Sequence, residues 1–336
     1  MKKITALLLA LLMLVGVLAG CEKQKDTNKT DKLSIVTTIF PEYDWVREIL
    51  GDKADNAEIT MLLDNGVDLH SYQPTADDIV KISDCDLFIY VAGESDGWVD
   101  DALKNAANKN MKVINLLEVL GNSVKEEETV EGMQEEEHDH EDVEEYDDEE
   151  EHDHEEETEY DEHVWLSLKN AEVLVNAISK SLQELDPDNM DAYSANSDAY
   201  IKKLSALDAD YQAAVDGATY KTVLFGDRFP FRYLADDYGL SYYAAFVGCS
   251  AETEASFETV SFLAKKVDEL NLPCVLTIEG AQHKIAETIV QNTTAKNQKI
   301  LTMDSMQSTT SQDVKNGTTY LSIMEKNLSV LKEALG

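Results

Sequence analysis

The sequence has no Cys-x-x-Cys pair and no His-Glu-x-x-His run. The first absence removes the signal for a thiolate zinc site or a thioredoxin-like redox motif. The second removes the metal-hydrolase signature, in which two helical histidines hold an ion beside a glutamate base. His154-Glu155-Glu156-Glu157 starts that pattern but lacks its second histidine. Basic residues are scarce, with 28 Lys and Arg against 67 Asp and Glu and a net charge of −39. Phosphate backbones need a basic surface, so a nucleic-acid partner is excluded. The apolar run over residues 4–18 falls short of the roughly 20 residues that span a bilayer. Cysteine is sparse as well: after Cys21 only Cys85, Cys249 and Cys274 remain, enough for one disulfide and one free thiol. Cys249 and Cys274 lie in the same half and are the expected pair if a bridge exists, and at least one of the three is expected to be a buried apolar residue.

What is there begins with an address. Lys2 and Lys3 precede the apolar run, and Leu18-Ala19-Gly20-Cys21 follows it. This is the layout of a secretory signal peptide over 1–20. The cysteine directly after small residues resembles the bacterial lipobox, whose thiol is acylated. Residues 21–32 are polar with no core-forming side chain, which suits a lipid-anchored flexible tether. The expected location is the outer face of the cytoplasmic membrane.

From residue 33 onward, β-rich runs alternate with helical patterns. Strands are expected at 33–38, 58–63, 87–91 and 112–116, with helices at 41–50, 75–82 and 99–107 between and after them. A second set follows, with strands at 222–225, 241–246, 274–278 and 300–302 and helices at 229–238, 257–270, 285–292 and 318–335. Such alternation predicts an α/β class with parallel sheets covered by helices. Between the sets, Asp186-Pro187 opens a stretch with no Gly or Pro until Gly217, read as one long helix with an N-cap acid and an N1 proline. The expected organisation is an N-terminal lobe over 33–185, a rigid linking helix over 186–216 and a C-terminal lobe over 217–336.

The N-terminal lobe carries an acidic, histidine-rich loop over 121–162. Residues 126–162 hold 24 acids and no Lys or Arg, so the rest of the chain is only moderately acidic. The loop contains two His-Asp-His clusters, His138 with His140 and His152 with His154. Acid alone would describe a solvated disordered segment. Imidazole beside carboxylate favours divalent zinc, copper or nickel, so weak multi-site metal capture is the expected role.

Three histidines lie outside this loop: His70, His163 and His283. His70 follows the second expected strand, at the sheet end where ligands of open α/β folds collect. His163 stands where order is expected to return after the acidic loop. His283, near a helix start, reads as structural or exposed.

Here the chain resembles the zinc- and manganese-binding substrate-binding proteins of bacterial ABC importers. The resemblance is carried by Ile35-Val-Thr-Thr-Ile-Phe-Pro41, the His70 loop with Gln73-Pro74-Thr75, Asp86-Leu-Phe-Ile-Tyr90 with Trp98, the acidic insertion, His163-Val-Trp-Leu166, the long helix and Tyr320-Leu-Ser-Ile-Met-Glu-Lys-Asn-Leu328. It implies two α/β lobes joined by one rigid helix, with metal bound between them. His70 and His163 match the two N-lobe ligands, and Asp304 matches the C-lobe aspartate. The third ligand position, at the start of the first C-lobe helix, falls on Arg228, which cannot bind a cation. Asp227 beside it could substitute, or cap a helix or pair with an arginine; Glu279, Glu252 and Glu254 are in reserve. Two imidazoles and carboxylates suit zinc, with manganese next. The implied function is extracytoplasmic capture of the ion by a monomer and its delivery to an ABC permease. A surface metal-buffering protein or adhesin without a transporter is the alternative, and a zinc hydrolase is a more distant one.

Overall fold

The short β-branched runs pair in parallel throughout. In the first sheet, β1 (Leu33–Thr37) lies between β2 (Ala57–Met61) and β3 (Leu87–Tyr90), and β4 (Lys112–Asn115) closes the order β2-β1-β3-β4. Its register runs from Leu33 opposite Ala57 to Thr37 opposite Met61, and Ile35 faces Leu87 on the other side. All four residues of β3 are buried, as a central parallel strand covered on both faces requires. The second sheet repeats the arrangement as β6-β5-β7-β8, from β5 (Thr222–Phe229), β6 (Ser241–Val247), β7 (Cys274–Ile278) and β8 (Lys299–Met303). The computed structural model describes residues 32–134, 159–250, 254–280 and 283–336.

The covering helices form where the sequence caps them. In the first half these are α1 (Phe40–Leu50), α2 (Ala76–Asp84), α3 (Val99–Lys104) and α4 (Leu116–Leu120). Thr75 and Asp78 make a reciprocal capping box at the start of α2. Two long helices follow, α5 (Leu168–Leu185) and α6 (Met190–Gly217). The long helix was expected from residue 186. The chain instead makes a 3-10 turn at Pro187–Asn189 before α6 begins. Helix α5, capped by Ser167, had not been expected at all. At 28 residues α6 is about 42 Å long. Its Tyr193, Ser197, Tyr200, Leu204, Leu207, Tyr211 and Val215 line one buried face at three- and four-residue spacing. The second half adds α7 (Arg232–Tyr238), α8 (Phe257–Leu270), α9 (Lys284–Asn292), α10 (Ser311–Lys315) and α11 (Tyr320–Leu335).

Helix α6 touches both halves. Near its start, Asn196 donates to the Ile49 carbonyl of α1 (3.0 Å); near its end, the Tyr211 hydroxyl donates to the Met324 carbonyl of α11 (2.7 Å). A single buried apolar cluster runs from Ile35 and Phe88 through Leu174 and Leu204 to Phe225, Leu276 and Leu331. Polar contacts join the halves too: Trp165 Nε1 donates to the Ser305 carbonyl (2.9 Å), the Tyr320 hydroxyl to the Trp165 carbonyl (2.6 Å), and the Tyr320 amide to Asp44 (2.9 Å). Halves that share a core and buried hydrogen bonds are held as one body, unlike lobes swinging on a soft hinge.

Two sequence expectations need correction. Cys85, Cys249 and Cys274 are all free, so the Cys249–Cys274 bridge does not form; Cys274 is buried in β7, while Cys249 lies beyond β6. Arg228 and Asp227 do not open a helix: β5 continues through Phe229, and α7 starts only at Arg232.

Candidate metal centre

His70 is placed by a single 3-10 turn, Leu69–Ser71, after β2. Asp68 caps the turn by accepting the His70 amide (3.1 Å). The His70 ring turns its Nδ1 to the Ser95 hydroxyl (2.8 Å), with Glu162 Oε2 at 3.5 Å. Glu162 Oε1 accepts the Ser95 amide (2.9 Å). Gly93 makes room for that carboxylate: its φ is +87°, and a Cβ there would lie 2.3 Å from Glu162 Oε1.

His163 is fully buried. One oxygen of Asp161 accepts both its backbone N–H and its ring Nδ1–H, each at 2.9 Å. The two Nε2 atoms then face each other 3.2 Å apart. The Asp161 carboxylate can only accept, so it holds the His163 proton on Nδ1 and leaves the Nε2 lone pair facing His70. Burial, then the neighbouring His163 ring, drives the His70 pKa down to about 3, with Asp68 opposing. Its ring is therefore neutral in ordinary conditions, the protonation state that a metal needs.

The facing wall comes from the second sheet. A ligand atom from each of His70, His163 and Cys249 lies within 4.8 Å of the others, the one such trio of His, Cys, Asp or Glu among the described residues. The Gln307 amide reaches His163 Nε2 at 3.2 Å. In one orientation its NH2 donates to that nitrogen. Turned over, the NH2 donates to both Asp68 oxygens (3.0 and 3.1 Å) and the carbonyl oxygen faces the imidazole. Arg228 forms an ion pair with Asp68 across the two halves and donates to the Ser250 carbonyl (3.4 Å). A register shift in β5 between Phe225 and Arg228 accompanies this turn of the strand. Burial raises the Asp68 pKa, but the Arg228 guanidinium and His70 outweigh it, so the carboxyl sits below its usual value.

Asp227 and Asp304 stand outside the trio. Asp227 accepts the Arg228 amide (3.0 Å) and the Ile278 amide (3.4 Å), bracing β5 against β7, and burial raises its pKa. Asp304 accepts the Met306 amide (2.8 Å) just after β8. Burial first, and Glu279 second, push its pKa up to about 6. Glu279 is taken up by the Ser305 amide (2.6 Å) and hydroxyl (2.7 Å) and the Gln307 amide (3.1 Å). His283 stands immediately before α9, its Nδ1 buried without a hydrogen-bond partner, and Glu254 is exposed. Cys21, His138, His140, His152, His154 and Glu252 lie outside the described residues. Sequence reasoning missed Gln307, Ser95, Glu162 and the approach of Cys249. Cys249 was visible only as a possible disulfide partner, and Gln307 as a neighbour of Asp304.

The zinc-uptake complex component A (ZnuA) periplasmic family matches residues 35–334 of this chain. The chain is 34% identical over 333 residues to the zinc-binding lipoprotein AdcA of Streptococcus pneumoniae, which covers 99% of the chain and 61% of that protein. It therefore spans about three fifths of the AdcA proteins it matches. It is 32% identical to the high-affinity zinc uptake system protein ZnuA of Bacillus subtilis over 308 residues, 92% of the chain and 89% of that protein. Among solved structures, the Zn(II)-bound ZnuA-like domain of S. pneumoniae AdcA superposes with a TM-score of 0.68 at 30% identity, covering 90% of this chain and 99% of that one. The metal-dependent lipoprotein YcdH of B. subtilis gives 0.70 at 28% identity, covering 90% and 99%. Matched from its first strand to its last helix, with paired imidazoles where its two sheets meet, the chain belongs to the ZnuA family.

Proposed function

We propose that this chain captures zinc outside the cell and delivers it to a membrane permease. One observation carries the reading: the His70 and His163 Nε2 atoms converge at 3.2 Å. Two imidazoles on one tetrahedral zinc, with Zn–N of ~2.0–2.1 Å, have nitrogens about 3.3–3.4 Å apart. The rings are thus spaced for a shared ion before it arrives. Asp161, Ser95 and Glu162 hold them from behind, in the manner of the outer partners of ligating histidines. Zinc is favoured because the relatives are named for it, with manganese next.

In this reading zinc is cargo, so the site must bind tightly and still release. The ion's imidazole ligands come from the first half, and the wall that closes over it, Gln307 and Cys249, comes from the second. Asp304 and Glu279 add negative charge to the loop that carries Gln307. Asp227 serves as a brace between β5 and β7. Because the halves share a core, the permease would release zinc by displacing the loops that carry His70 and Gln307. The His-Asp-His clusters raise the local ion concentration, and acylated Cys21 keeps the chain at the membrane surface.

The test is zinc titration in competition with a chelating dye. His70→Ala and His163→Ala should each raise Kd by more than the roughly 10–100-fold typical of losing an outer partner. Unchanged tight binding in both variants would refute the site. Delivery is tested by zinc-limited growth of a strain lacking the gene, which wild type should restore and His70→Ala should not.

A further inference from the structure

We propose that Cys249 is a third protein ligand of the cargo ion, binding through sulfur and biasing the site toward thiophilic metals over manganese. The proposal rests on the reading of His70 and His163 as the zinc ligands. Four observations support it. Cys249 completes the one trio of potential ligands, all within 4.8 Å, among the described residues. Its thiol is free. It sits two residues beyond β6, at the carboxyl end of the second sheet, and so brings a donor from the second half to imidazoles carried by the first. The preceding residue permits the approach: a Cβ at Gly248 would lie 3.0 Å from His163 Cε1 and 3.1 Å from Nδ1. A side chain at 248 would push the loop, and Cys249 with it, away from the ring.

The surroundings hold the cysteine in position. Its amide donates to Glu127 Oε1 (3.1 Å). Glu127, Asp161 and Glu162 give this corner the negative potential that draws in a cation. On binding, the thiol proton leaves to water and a sulfur–metal bond forms, with no change in oxidation state. Arg228, where the family resemblance implies a ligand, is occupied by Asp68; the cysteine supplies the second half's donor instead. Thiolate sulfur suits zinc and other soft or borderline ions, whereas manganese prefers oxygen.

Cobalt(II), a spectroscopic substitute for zinc, tests this in the full chain. Wild type should show visible ligand-field bands together with a near-ultraviolet sulfur-to-cobalt charge-transfer band. Cys249→Ser should keep the first and lose the second. Its zinc Kd should rise at least about tenfold while its manganese Kd shifts less than about twofold. Cys249→Ala, with the metal-free thermal midpoint of both variants, checks that the fold is intact. Visible bands without the charge-transfer band in wild type, or unchanged zinc affinity in both variants, would overturn the role of Cys249 and leave the histidine pair standing. A cobalt spectrum insensitive to His70→Ala would overturn the site itself.

Discussion

Replacing Asp161 with asparagine probes how the fold prepares His163 for metal. One oxygen of Asp161 accepts the His163 backbone N–H and the ring Nδ1–H, each at 2.9 Å, in a buried setting. Asparagine offers the same carbonyl oxygen, so both hydrogen bonds and the ring position can survive, and what is lost is the negative charge. That charge matters most when zinc on Nε2 draws electron density from the ring and makes Nδ1–H a stronger donor. A hydrogen bond to a charged group contributes about 1.5–3 kcal/mol and a neutral one about 1. The difference, of order 1.5 kcal/mol, corresponds to roughly tenfold weaker zinc binding. Chelator competition on wild type and Asp161→Asn measures it, with thermal unfolding of the metal-free forms as the check on geometry. If Kd stays within about twofold of wild type while the fold is intact, the carboxylate does not tune the ligand and the reasoning fails.

Other outcomes follow from the same structure. Burial pushes the Asp44 carboxyl up to about 7, so folding holds a proton that the unfolded chain, titrating near 4, releases. This group's contribution therefore falls as pH rises from about 4 to 7, by roughly 3 kcal/mol between pH 5 and 8. Asp44→Asn can still accept the Tyr320 amide, and urea unfolding should show its advantage over wild type growing by that amount; an equal gap at both pH values would contradict the assignment. Gly93→Ala, at φ +87° with its Cβ against Glu162, should lower stability by about 1–3 kcal/mol and weaken zinc binding together, read by the same two assays. Asp304→Asn should weaken zinc binding less than His70→Ala does, since Asp304 stands outside the ligand trio; an equal loss would make it a ligand. Deleting residues 135–158 should slow zinc capture at low concentration, measured by stopped-flow, and leave the tight Kd unchanged.

The strands and most helices were legible because their signals are local. Alternating β-branched runs and helical periods gave two α/β units, and Thr75 with Asp78 marks the start of α2 within four residues. Helix α5 was missed because Asp186-Pro187 gave so clear a start signal that the equally helical run before it went unread, although Ser167 caps it. The helix start beside Arg228 was misjudged for another reason: the run from Phe229 to Tyr238 reads as helical, but β5 continues through Phe229 and the helix begins only at Arg232.

By itself the sequence determined the α/β alternation, the parallel pairing, and the prominence of His70 and His163, because periodicity, caps and rare residue types are written along the chain. Tertiary structure alone decided what those histidines face. Asp68 is engaged by Arg228 from 160 residues away, Gln307 reaches His163 from 144 residues away, and Cys249 comes within ligand range of both rings instead of pairing with Cys274. Such contacts depend on how two sheets pack around a shared core, and packing is a property of surfaces brought together in space, which no local run of residues encodes.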